Sequence, residues 1–167
     1  VAMVRGAYEY QGQKCSAASR VYVPKSLWPT VRDRAAGMMR EITMGDTRDF
    51  RNFMSAVIDK KAFTKITGYI SHAKRHAKII QGGGSNGRVG YFVEPTLVQT
   101  DNPGYKLLCE EIFGPVLTAH AYADSKFAEI LQVVDQTSPY ALTGSIFAKD
   151  RAVIRQASAT LRNAAGN

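Results

Sequence analysis

Stretches that read as strands and stretches that read as helices alternate along this chain, and that alternation restricts the fold more than any other feature. A helical pattern over 1–11 leads to a short strand over 20–23 (Arg-Val-Tyr-Val), stopped by Pro24. Ser26 is suited to cap a helix over 27–42, with Pro29 tolerated in its first turn. Asp59 is suited to cap a second helix over 60–77, where Phe63, Ile66, Ile70 and Ala73 recur at helical spacing. A strand is expected over 78–81, a glycine loop over 82–87, and extended chain over 91–100 broken by Pro95. A strand over 116–122 follows, then a helix capped by Asp124 and running to about residue 135, a buried strand over 144–148, and a last helix capped by Asp150. Strand-then-helix order predicts an α/β fold with a largely parallel sheet flanked by helices.

With 167 residues, the chain can bury a real core in one domain. It carries 45% hydrophobic and 22% charged residues, and no apolar run approaches the roughly 18 needed to cross a bilayer. Residues 1–10 include Arg5 and Glu9 and read as amphipathic helix rather than as a secretion signal. Both chain ends read as internal positions of a longer protein, so no targeting information is expected here. Two cysteines, Cys15 and Cys109, do not make a disulfide scaffold and fit a reducing compartment. The net charge of +8 raises nucleic acid as a partner. The cations are scattered among acids, however, and the densest stretch, 60–78, has its aromatics Phe63 and Tyr69 at helical core spacing. Neither nucleic acid nor membrane is expected to be bound.

Several residues have the chemistry for a site. Cys15 lies in Gly12-Gln13-Lys14-Cys15-Ser16, where small neighbours let a substrate approach and Lys14 places a positive charge next to the thiol. The alternative is an inert packed cysteine, the commonest fate of a free thiol. Cys109, in an apolar stretch, is expected to pack. A Cys–His hydrolase would need His72, His76 or His120 as its base. His72 and His76 are spaced to share a helix face but have no evident third metal ligand, and no metal site is expected. Gly82, Gly83 and Gly84 lack the pattern of a phosphate loop and read as a flexible surface turn. Glu110 and Glu111 precede Phe113 and the turn Gly114-Pro115. Adjacent carboxylates point apart, so one is expected to be solvated and the other to hold a specific partner. A carboxylate accepts from two vicinal hydroxyls at once, which suits a ribose. Phe113 offers an apolar face on which a flat ring can pack.

Four segments in order resemble the aldehyde dehydrogenase family. They are Gly12-Gln13-Lys14-Cys15, Gly90-Tyr91-Phe92-Val93-Glu94-Pro95-Thr96-Leu97-Val98, Glu110-Glu111-Ile112-Phe113-Gly114-Pro115-Val116, and Tyr140-Ala141-Leu142-Thr143-Gly144-Ser145-Ile146-Phe147. A finer likeness, to the 1-pyrroline-5-carboxylate dehydrogenase branch, is carried by Arg5-Gly6-Ala7-Tyr8-Glu9-Tyr10 leading into Gln13-Lys14-Cys15-Ser16-Ala17, and by Ser55-Ala56-Val57-Ile58-Asp59, Leu142-Thr143-Gly144 and Leu161-Arg162-Asn163-Ala164-Ala165-Gly166-Asn167.

The resemblance implies NAD-dependent oxidation of L-glutamate γ-semialdehyde to L-glutamate by a longer parent enzyme. Cys15 is then the nucleophile, and its backbone N–H helps to hold the oxyanion. Ser16 binds the substrate carboxylate and Lys14 adds charge. Glu111 holds the nicotinamide ribose of NAD and Phe113 packs near the ring. It further implies that residues 1–167 are part of the nucleophile-bearing catalytic domain and that the dinucleotide-binding domain lies elsewhere. The loop anchoring the substrate's amino acid end is expected beyond residue 167. A homo-oligomeric parent in the mitochondrial matrix is also implied, as is an inactive isolated fragment. Two other readings stand beside this one: a related aldehyde dehydrogenase with another semialdehyde or aliphatic aldehyde, and an inactive structural remnant.

Overall fold

A computed structural model describes residues 1–140 and 142–164. Ala141 and residues 165–167, which carry parts of two resembling segments, lie outside the described residues.

The order of elements is α1 (Ala2–Tyr8), β1 (Arg20–Pro24), α2 (Trp28–Arg40), α3 (Lys60–His76), β2 (Lys78–Gln81), β3 (Ser85–Asn86), β4 (Phe92–Val93), β5 (Thr96–Thr100), α4 (Lys106–Cys109), β6 (Val116–Tyr122), α5 (Phe127–Gln136) and α6 (Arg151–Thr160). Short 3-10 turns follow α1 (Glu9–Gly12) and precede α5 (Asp124–Lys126). The main sheet has strand order β1-β6-β5-β2. β6 runs parallel to both neighbours, and β2 pairs antiparallel with β5. The sheet is therefore mixed but mostly parallel, as the strand–helix alternation predicts. β3 and β4 form a separate two-stranded ribbon, β3 within the stretch that reads from sequence as a glycine loop and β4 within the extended chain over 91–100.

β6 is the centre of the molecule, and all seven of its residues are buried. Alternate side chains leave opposite faces of a strand. Leu117, Ala119 and Ala121 enter one core with Tyr8, Trp28 and Met39, while Val116 enters the other with Ile66, Ile70 and Leu107. The first core is covered by α1 and α2, the second by α3. Helix α3 forms where the apolar spacing predicts: Ile66, Ile70 and Ala73 point inward, and the Asp59 carboxylate accepts the Ala62 N–H at 2.7 Å. Asp150 caps α6 in the same way, through the Ala152 N–H.

Three expectations are corrected. Ser26 and Asp124 do not cap the helices that follow them, because they bond each other. The Asp124 carboxylate accepts from the Ser26 hydroxyl and from its N–H (3.1 Å), which ties the turn after β1 to the turn after β6. These bonds hold the Asp124 carboxyl below its usual range. Second, residues 144–148 form no strand and are exposed. A strand needs a neighbour for its N–H and C=O groups, and among the described residues none pairs with this segment. Third, the three glycines make a packed crossing rather than a flexible surface turn. Gly82 (φ +79°) lies so close to the Pro95 carbonyl that a Cβ would collide with it. Gly83 is buried and donates to Thr96 Oγ1 at 3.0 Å, and Gly84 donates to the Glu94 carboxylate at 2.8 Å.

Candidate functional site

The loop carrying Cys15 runs into the amino end of β1, and the 110–115 turn runs into the amino end of the adjacent parallel strand β6. The candidate site thus lies at the amino ends of the parallel strands. Open α/β sheets more often bind ligands at the carboxyl ends.

The chain before Cys15 is bent sharply. Tyr10, Gln11 and Gly12 follow one another with φ of 54°, 59° and 63°. Each left-handed non-glycine residue costs roughly 1–2 kcal/mol, and such a run persists only where its surroundings hold it. Gly12 is buried against the other loop. A Cβ there would strike the Gly114 carbonyl and stand 2.8 Å from the Ala7 carbonyl. Glycine is required on both counts. On the other side, the Gln11 amide bonds the Ser55 N–H and the Ala56 carbonyl, and Gln13 Oε1 accepts the Ile58 N–H at 3.0 Å.

Past this bend the side chains open outward. Cys15 and Ser16 are both exposed. The Ser16 carbonyl accepts from Thr143 Oγ1 at 3.3 Å, which brings part of the fourth resembling segment to the loop. The Lys14 ammonium is turned to Glu9, 3.6 Å away, and sits 5.9 Å from the Tyr10 ring centre.

The 110–115 turn is gripped from α3. Ile66 fills the space beside Gly114, where a Cβ would come within 2.5 Å of its Cδ1. Lys65 Nζ donates to the Glu111 carbonyl at 2.7 Å, and the Tyr69 hydroxyl donates to the Glu110 carboxylate at 2.5 Å. Lys106 Nζ lies 3.8 Å from the same carboxylate. Burial, and then the bond to Glu110, push the Tyr69 hydroxyl up to about 12. The two glutamates divide as adjacent carboxylates should. Glu110 is engaged by Tyr69 and Lys106, whereas the half-buried Glu111 side chain makes no hydrogen bond or ion pair among the described residues. Phe113 has φ +56° and its ring is exposed. A left-handed aromatic residue is a conformational outlier, and here it turns the ring outward while Ile112 on one side and Gly114 on the other stay buried. Val116 N–H then bonds the Gly114 carbonyl at 2.7 Å and closes the turn around Pro115.

The histidines form no part of this site. His120 is buried in β6, with Nδ1 3.1 Å from the Thr100 carbonyl and its ring edge-on to Tyr22. His72 Nδ1 meets the Tyr105 hydroxyl at 3.0 Å, and the His76 ring lies 4.5 Å from the His72 ring. Cys109 is half-buried.

The backbone contact of Gly12 with Gly114 therefore joins the loop of Lys14, Cys15 and Ser16 to the turn of Glu111 and Phe113. Sequence reasoning missed Gln11, Lys65 and Tyr69. Lys65 and Tyr69 are one helical turn apart, which signals a shared face, but nothing in the sequence names their partners. Gln11 gives no signal at all, since glutamine is neutral in a helix and rare in a left-handed turn.

A model of the aldehyde dehydrogenase family matches residues 1–167. The chain is similar to the mitochondrial Delta-1-pyrroline-5-carboxylate dehydrogenase of Dictyostelium discoideum, at 55% identity over 166 residues, covering 98% of this chain and 30% of that protein. The Homo sapiens protein of the same name is 48% identical, with the same coverage. Among solved structures, the Delta-pyrroline-5-carboxylate dehydrogenase from Mycobacterium tuberculosis bound with NAD superposes with a TM-score of 0.90 at 41% identity, covering 99% of this chain and 30% of that one. The chain spans about 30% of the length of these relatives. With the family model matched from end to end and the fold shared with solved members, the chain belongs to the aldehyde dehydrogenase family.

Proposed function

We propose that this chain is the nucleophile-bearing part of a Delta-1-pyrroline-5-carboxylate dehydrogenase, oxidising L-glutamate γ-semialdehyde to L-glutamate with NAD. The reading is supported above all by the Gly12–Gly114 contact, which sets the exposed Cys15 loop against the turn of Glu111 and Phe113. The Cys15 thiolate attacks the aldehyde carbon and forms a thiohemiacetal, while its backbone N–H stabilises the developing oxyanion. Oxidation of that adduct leaves a thioester on the same sulfur, and water then releases the carboxylic acid. Ser16 donates to the substrate's carboxylate, and Lys14 adds positive charge to the approach.

The residues present fit NAD. The Glu111 carboxylate, without a partner among the described residues, keeps both oxygens for ribose hydroxyls, and the outturned Phe113 ring offers a flat apolar face. NAD, when bound, supplies the acceptor for the hydride removed in the oxidation. The dinucleotide-binding domain and the loop anchoring the substrate's amino acid end belong to the rest of the protein. The relatives' names support a mitochondrial location, and the family likeness supports a homo-oligomer.

The test is Cys15→Ala in the full-length protein. NAD-dependent oxidation of glutamate γ-semialdehyde is lost while NAD affinity stays near that of the wild type. Turnover near the wild-type rate would remove Cys15 from the mechanism.

A further inference from the structure

The strained bend ahead of Cys15 is held on one side by the Gly114 backbone and on the other by two side chains. The Gln11 amide makes two bonds of opposite sense: Nε2 donates to the Ala56 carbonyl at 3.2 Å, and Oε1 accepts the Ser55 N–H at 3.1 Å. Only one orientation of the amide makes both. Two residues on, Gln13 Oε1 accepts the Ile58 N–H at 3.0 Å. Together they bridge the bend to three backbone positions of 55–58, much as a neighbouring strand would.

That segment is itself anchored. Val57 is buried and its N–H donates to the Tyr91 carbonyl at 2.9 Å, and Asp59 begins α3 immediately afterwards. Helix α3 also carries Lys65, Ile66 and Tyr69, which grip the 110–115 turn. One helix thus supports both sides of the candidate site: the turn directly, and the Cys15 loop through 55–58 and the two amides.

Resting on the reading of Cys15 as nucleophile, we propose that Gln11 and Gln13 are positioning residues. Their amides hold the left-handed bend against 55–58 and so fix where the Cys15 sulfur stands relative to Glu111 and Phe113. The bonds made by the Gln11 amide and by Gln13 Oε1 all go to backbone groups of 55–58, so the two residues act through the main chain.

The experiment uses the full-length protein and four variants. Gln11→Met and Gln13→Met keep the length of the side chain and remove the bonds. Gln13→Glu keeps the acceptor for Ile58. Gln11→Glu keeps the acceptor for Ser55, loses the donor for Ala56, and sets a carboxylate against that carbonyl. Misplacing reacting groups by about an ångström costs on the order of a hundredfold. The Met variants are therefore expected to lower kcat by about ten- to a hundredfold with the aldehyde KM within about twofold. Iodoacetamide should alkylate Cys15 at nearly the wild-type rate, because alkylation needs an accessible thiol and not an aligned one. Gln13→Glu should recover most of the Gln13→Met loss, and Gln11→Glu should behave like Gln11→Met.

Wild-type kcat in the Met variants would overturn the proposal. So would Gln13→Glu performing no better than Gln13→Met, or a loss matched by an equal fall in Cys15 alkylation. If the Met variants fail to fold, Gln11→Glu carries the test, and wild-type kcat there overturns it. The two readings fail separately. Turnover by Cys15→Ala removes the nucleophile assignment. A dead Cys15→Ala beside fully active glutamine variants removes only the positioning role.

Discussion

Gly12 meets Gly114 backbone to backbone, so that the Cys15 loop and the Glu111–Phe113 turn touch there with no side chain between them. The contact spans two stretches about a hundred residues apart in sequence and depends on what both residues lack. A side chain on Gly12 would enter the Gly114 carbonyl, and one on Gly114 would enter Ile66.

Gly12→Ala is therefore expected to lower stability by about 2–5 kcal/mol, the sum of a left-handed alanine and of overpacking against two carbonyls. Urea unfolding of the full-length protein measures it. A loss under about 0.5 kcal/mol, the scale of an ordinary surface substitution, would mean that the contact relaxes freely.

Ile66 is fully buried at the same junction. Ile66→Ala should cost about 2–5 kcal/mol and loosen the turn it supports. Ile66→Val, which leaves the branched stem in place, should cost about 0.5–1.5 kcal/mol. Equal losses for the two variants would show that the distal methyl next to Gly114 carries the whole contribution.

Phe113 combines an exposed ring with φ +56°. Phe113→Gly and Phe113→Ala both delete the ring, but only glycine accepts the backbone without strain. The glycine variant should be more stable than the alanine variant by about 1 kcal/mol, and both should bind NAD more weakly than the wild type. Equal stability of the two would show that the backbone relaxes when the ring is removed.

Glu110 and Glu111 should separate by experiment. Glu111→Gln keeps one acceptor oxygen and loses the charge, so single-turnover hydride transfer should slow more than aldehyde binding weakens. Glu110→Gln alters the contact with Tyr69 and should leave that step nearly unchanged. If Glu111→Gln instead blocks only thioester hydrolysis, the carboxylate is acting as a base.

Ser16 bears on substrate choice. A hydrogen bond to a charged acceptor is worth roughly 1.5–3 kcal/mol, about ten- to a hundredfold. Ser16→Ala should lower kcat/KM for glutamate γ-semialdehyde by about that factor and spare hexanal. An equal loss on both substrates would give Ser16 a purely structural role in the loop, and would favour a generic aldehyde dehydrogenase.

Much of the fold was legible in the sequence because its signals were local. The strand over 116–122 and the helix begun by Asp59 stand where pattern and cap placed them. The misses share one cause: a residue's capacity was visible and its partner was not. Ser26 and Asp124 can each cap a helix, but each found the other instead. The three glycines signal freedom of the backbone, yet their use is close approach to Pro95 and Glu94, which no local pattern reveals. In the site, the order of Cys15, Glu111 and Phe113 was readable through the family resemblance. The left-handed run at Tyr10 and Gln11 was not, since both residues disfavour that conformation and only tertiary contacts impose it.

The pairing of β1 with β6 also has a consequence in time. Ser26 and Asp124, which close the far end of that pair, are 98 residues apart in the chain. A ribosome adding roughly 5–20 residues per second needs about 5–20 s to cover that interval. Until then β1 has no β6 to lie beside, the Cys15 loop has no Gly114 to rest on, and the thiol is synthesised well before the turn of Glu111 and Phe113 against which its loop will pack.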